Sequence, residues 1–180
     1  MFRWYQNAAR CYVYLSDVSV CTQDGQATHI DREFSLRNSR WFTRGWILQE
    51  LLAPKIVEFY SRDQVQLGDK ISLQQHICEK TGIPIEALQG RPLHDFSVEE
   101  RFRWVEGRQT TEEEDIAYCL LGIFGISLPL IYGEGQEKAI RRLKQVIDGS
   151  NRQRGNLLQS AVICPTSVNY QIMSANYANF

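Results

Sequence analysis

The spacing of apolar positions changes several times along the chain, and each change predicts an element. Residues 2–9 place Phe2, Tyr5 and Ala9 on one side, as in the last turns of a helix. The run 11–15 (CYVYL) is short, apolar and aromatic, the pattern of a buried strand, and Ser16 and Asp17 end it. A polar stretch over 18–38, with the turn signal Asp24-Gly25, reads as a loop. Ser39 then offers a helix cap and Pro54 a stop, so the pattern predicts one helix over 40–52. A second strand is expected over 55–60 (KIVEFY), where Ile56 and Val57 suit extended structure.

Helical spacing dominates the remainder. A helix over 70–81 ends at Gly82, and a helical turn follows over 84–88. Ser97 and Glu100 form a capping-box pair for a helix over 97–106, with Phe102 and Val105 facing inward. Thr111 and Glu114 repeat that pair before a helix over 112–124. Its stripe is Ile116, Leu120, Ile123 and Phe124, and its cap is Gly125. Gly133 to Gly135 turns the chain into a last helix ending near Asp148, with Ala139, Ile140, Leu143, Val146 and Ile147 as its apolar stripe. Beyond Gly149 the composition turns to Asn, Gln, Ser and Gly, the signature of a tail. The expectation is an α/β N-terminal part followed by a mainly α-helical segment.

Composition narrows the classes. The 180 residues suffice for one core, and a net charge of -1 carries no basic excess for nucleic acid or an anionic membrane surface. Five cysteines, an odd number with no CxxC pair, favour a reducing compartment over a disulfide framework. His76 and Cys78 are two apart and share no helical face, so a metal site is not expected. Residues 1–10 lack a secretory pattern, and the longest apolar run, 116–132, is broken by Gly122, Gly125 and Pro129. A cytoplasmic protein is the expectation.

The densest chemistry lies in 39–54 (SRWFTRGWILQELLAP). On a continuous helix Trp41, Leu48 and Leu52 share one face, while Phe42, Trp46 and Glu50 lie on the other. One reading makes these packing residues, with Glu50 paired to Arg40 or Arg44. Arg44 also suits a helix cap, a phosphate or a partner carboxylate. Asp17, at a strand end, suits a turn or a ligand crevice. The sequence Tyr132-Gly133-Glu134-Gly135 lacks the lysine and spacing of a phosphate loop and reads as a turn and helix start.

Three blocks carry a family resemblance: MFRWYQNAARCYVYLSDV from Met1, SRWFTRGWILQELLAPKIVEFYSRD from Ser39, and GRQTTEEEDIAYCLLGIFGISLPLIYGEG from Gly107. In order and spacing they resemble the fungal heterokaryon-incompatibility (HET) domain family. The match corresponds to the C-terminal half of the HET core (1–68) and the helical segment after it (69–148), leaving 149–180 as a tail. Departures are Ile47 where threonine is usual, Gln64 and Val65 where an aromatic is expected, and Glu112 where arginine is common. The family's opening strand motifs are not present.

The resemblance implies an incomplete TIR-like parallel sheet with an uncovered edge. It implies a truncated gene model, a decayed copy or one part of a split protein. It implies self/non-self recognition and cell-death signalling in innate immunity, through other protein domains or a homo-oligomer, with no cofactor. An enzymatic alternative also follows, an NAD glycohydrolase of TIR-like type with NAD as substrate. There Glu50 would be the catalytic carboxylate, and Trp46, Arg44 and Asp17 would contact the ligand. A non-functional gene fragment is the third reading.

Overall fold

The structure is a computed structural model and describes residues 1–20 and 36–162. Strand β1 (Cys11–Leu15) coincides with the expected run. It pairs in parallel with β2 (Val57–Ser61), in register from Cys11 opposite Val57 to Leu15 opposite Ser61. A third strand, β3 (Gln66–Asp69), pairs antiparallel with β2, giving a mixed sheet in the order β1-β2-β3. The sheet is therefore not purely parallel. The pattern did not signal β3, because only Leu67 of its four side chains is buried.

Alternation sorts the two faces of the sheet. Val13, Leu15, Val57, Phe59 and Leu67 point into the core. Tyr12 and Tyr14, on the other face, are 64% and 58% exposed. There the ring of Tyr12 lies 6.0 Å from that of Tyr60. Beneath them Glu58 is buried, ion-paired with Arg10 and accepting the Tyr60 hydroxyl at 3.0 Å. Strand β1 ends the sheet among the described residues, so its outer edge is unpaired there.

Helix α1 (Phe2–Asn7) precedes β1. The single helix expected over 40–52 is two pieces. A 3-10 helix (Arg40–Thr43) and helix α2 (Ile47–Leu52) are separated by an extended Arg44, which bridges to Gln109. Gly45 explains the break. Its N–H donates to the Gln109 carbonyl at 2.9 Å, and a Cβ there would lie 2.6 Å from Thr110 Cγ2. A neighbouring strand of chain thus outcompetes helix continuation. Buried Lys70 closes the end of α2, its Nζ donating to the carbonyls of Leu51 at 3.2 Å and Pro54 at 2.7 Å.

Helices α3 (Gln74–Thr81) and α4 (Ile85–Leu88) follow, with Gly82 as a left-handed cap. Helix α5 (Val98–Arg103) has both halves of its capping box. The helix expected over 112–124 is again two short ones, α6 (Asp115–Tyr118) and α7 (Leu121–Phe124), the latter capped by Gly125. Its expected capping box does not form, because Glu114 has other partners, described below.

Helix α8 (Gln136–Val162) buries Ala139, Leu143 and Ile147 and continues past the expected end near Asp148. A single glycine such as Gly149 costs a helix interior only about 1 kcal/mol, too little by itself to stop it. Residues 1–147 form one compact unit. Most of the loop expected over 18–38, with its turn at Asp24-Gly25, and the end of the tail lie outside the described residues.

Candidate functional site

The two tryptophans of the 39–54 segment each donate to a carboxylate, and the carboxylates differ. The Trp41 indole donates to Glu50 Oε2 at 3.1 Å, and the Tyr5 hydroxyl reaches Glu50 Oε1 at 3.5 Å. The Trp46 indole donates to Asp115 Oδ2 at 2.8 Å, and Tyr132 donates to Asp115 Oδ1 at 3.1 Å. A helical wheel drawn through 40–52 sets Trp41 and Glu50 on opposite faces. The break at Gly45 brings them together. The arginine expected beside Glu50 is replaced by neutral donors, an indole and a phenol. Burial, then the nearby Glu50 charge, pushes the Tyr5 phenol above its ordinary range.

Asp17 acts on the start of the same segment. It accepts the Ser39 hydroxyl at 2.9 Å and the Arg40 N–H at 2.6 Å, and Ser39 Oγ in turn accepts the Trp41 N–H at 3.2 Å. Burial raises its pKa, but the hydrogen bonds from Arg40 and Ser39 outweigh this and hold the carboxyl below its ordinary value. Its geometry is that of a clamp on the 3-10 helix. Arg44 is exposed, and its N–H closes that helix on the Trp41 carbonyl at 3.2 Å.

The segment is tied to the third block at several more points. Besides Trp46 with Asp115, the Gln109 N–H donates to Thr43 O at 2.7 Å and Gly45 N–H to Gln109 O at 2.9 Å. Gln49 Nε2 donates to Cys119 O at 3.1 Å. The Arg108 guanidinium donates to Phe42 O at 2.5 Å and Trp104 O at 2.6 Å. Burial lowers that guanidinium to about 10. Burial also raises the adjacent Cys119 thiol to about 12, which leaves it protonated and inert at neutral pH.

The glycine turn at 133–135 has an anion of its own. Buried Glu114 Oε1 accepts the N–H groups of Gly133 and Gly135, both at 2.8 Å. These hydrogen bonds, led by that from Gly135, hold the carboxyl below its ordinary range. Glu134 pairs with Arg142 and accepts the Tyr118 hydroxyl at 3.3 Å. A side chain thus fills the cradle a phosphate would need, as expected of a turn and helix start.

A cleft of about 810 Å³ opens beside α2. Trp46 and Gln49 line it together with α1 and the 118–130 segment, whereas Glu50 and Trp41 do not. The structure therefore splits the sequence candidates: Trp46 faces a cleft, while Glu50, Asp17 and Arg44 bind the chain itself or solvent. Sequence reasoning missed Asp115 and Gln49. Asp115 sits within an acidic run that reads as a solvated helix start, and only its distant tryptophan partner distinguishes it.

The chain is 54% identical over 147 residues to the vegetative incompatibility protein HET-E-1 of Podospora anserina. That identity supports a heterokaryon-incompatibility family. It covers 82% of the chain but 11% of the relative, so the chain corresponds to a small part of that incompatibility protein. No family model and no solved structure matches the chain. Among the described residues no helix is long and apolar enough to cross a membrane.

Proposed function

We propose that this chain is a signalling module of heterokaryon (vegetative) incompatibility, acting in self/non-self recognition that ends in cell death. The observation that carries the reading is the 54% identity to HET-E-1 across 82% of the chain. The stitched geometry of 39–54 on the 107–119 segment supports it. That geometry makes a rigid, densely hydrogen-bonded platform whose carboxylates are engaged internally rather than aimed at a substrate. The signal would pass by contact with other protein domains or with further copies of the chain. In this reading the module is a HET-type core half with its following helical segment, working in the cytoplasm. Inducible expression of the chain in filamentous fungal cells tests it, with an unrelated domain of equal size as control. Loss of viability with the chain alone is expected; equal survival with both overturns the reading.

A further inference from the structure

Lys70 is a buried cation without a counter-charge. It is 4% exposed, and its ammonium makes no ion pair among the described residues. Two of its three N–H groups donate to the Leu51 and Pro54 carbonyls, which supply dipoles rather than charge. The third has no partner among the described residues. Cys11, the titratable group that acts on it electrostatically, has a thiol that burial holds above its ordinary range, so it stays neutral. Taking an ammonium out of water without an anion is costly, and burial lowers the Lys70 pKa accordingly. The same side chain lines a cavity of about 350 Å³ between α1, the end of α2 and residues 87–93. Phe2, Leu52 and Leu88 give that cavity an apolar wall. Lys55 and Arg91, both exposed, also line it, and no acidic side chain does so among the described residues. Arg91 gives its Nε–H to Asp95 at 3.2 Å, which leaves its terminal N–H groups without a hydrogen-bond partner among the described residues. Three cations, one of them buried and uncompensated, therefore line a largely apolar cavity.

We propose that this cavity binds a small organic carboxylate with an apolar body. The carboxylate accepts the remaining Lys70 N–H and brings the negative charge the ammonium lacks, and Arg91 and Lys55 hold its outer side. The hydrocarbon part covers Phe2, Leu52 and Leu88. An apolar lining with a few placed polar groups is the usual make-up of a small-molecule site, and the volume lies at the lower end of the range for such sites. Two requirements select this class. A neutral molecule would leave the Lys70 charge uncompensated. A bare inorganic anion would satisfy the cations but leave the apolar wall wet. The cavity is separate from the cleft beside Trp46, with which it shares only Phe2 and Gln6 among the described residues. Its occupancy would tie α1 to the end of α2 and to the 87–93 segment.

The test is a heteronuclear NMR titration of the full chain with benzoate and with hexanoate, beside their neutral amides and inorganic phosphate. At least one acid should bind saturably, with shifts centred on Phe2, Lys70 and residues 87–93, and its amide should bind at least about tenfold more weakly. Lys70→Met should abolish binding. Because that variant also removes the cap on α2, the exposed pair Lys55→Gln/Arg91→Gln provides a second measure, its fold verified by unchanged thermal unfolding. Binding of the acid should weaken at least about fivefold in the pair. Absence of saturable binding by either acid overturns the proposal. So does equal binding of acid and amide, full affinity in the Lys55→Gln/Arg91→Gln protein, or shifts centred elsewhere. Phosphate binding in place of both acids would assign the cavity to a bare anion, and would equally overturn it.

Discussion

Trp46 Nε1 lies 2.8 Å from Asp115 Oδ2, joining residues 69 positions apart. The bond spans the junction between the tryptophan-rich segment and the helical segment after it, and it is charge-assisted. Asp115 also accepts the Tyr132 hydroxyl, but the two side chains meet directly, so their energies are coupled. In a double-mutant cycle with Trp46→Phe and Asp115→Asn, Trp46→Phe should cost about 2 kcal/mol in urea unfolding, the usual worth of a hydrogen bond to a charged group. Asp115→Asn added to the Trp46→Phe variant should cost far less than in wild type. Additive costs would show that the contact carries no energy.

Gly45 sets the break in the 40–52 segment through space rather than through its own torsions. Gly45→Ala drives a Cβ to 2.6 Å from Thr110 Cγ2. It should destabilise by about 1–3 kcal/mol, although alanine is the better helix former. Thr110→Ser removes the offending methyl, so the double variant should recover part of the loss. A Gly45→Ala protein as stable as wild type would contradict the assigned contact.

Acid should weaken the structure where carboxylates accept backbone hydrogen bonds. Glu114 and Asp17 both have folded pKa values below their ordinary ones. Each is therefore protonated more readily in the unfolded chain. Their stabilising contribution is complete above the ordinary carboxylate range, about pH 4. It is lost as pH falls through the lowered folded values. Thermal scans from about pH 6 downward should show a fall in Tm that is shallower in Glu114→Gln, which starts lower and has one such group fewer. Parallel curves would remove Glu114 from the account.

Thiol chemistry should report burial. Cys119 is buried and its thiol is raised to about 12, so alkylation at about pH 8 should spare it until the chain unfolds. Cys78, half-buried on α3, should react in the native state. Peptide-resolved mass spectrometry separates the two, and native labelling of Cys119 would mean that the α6 region opens readily.

The parts of the fold that local chemistry dictates were legible. Strand β1, the Ser97–Glu100 capping box and the caps at Gly82 and Gly125 follow from nearest neighbours in sequence. The parts that long-range partners dictate were not. The break at Arg44–Gly45 needs Gln109 and Thr110, the division of α6 from α7 accompanies the diversion of Glu114 to the 133–135 turn, and β3 forms on β2 with little apolar pattern of its own. The candidate site divides the same way. Its residue types stood out at once, yet which carboxylate each tryptophan would bind depended on a kink that no helical wheel contains.

The central claim is that the tryptophan-rich segment and the helical block after it form one signalling unit. Its most direct test is the viability of fungal cells expressing the wild-type chain or the Trp46→Phe/Asp115→Asn chain at matched protein levels. The account predicts death with the intact link and survival with the broken one. Survival with the wild type, or equal death with both, would contradict it.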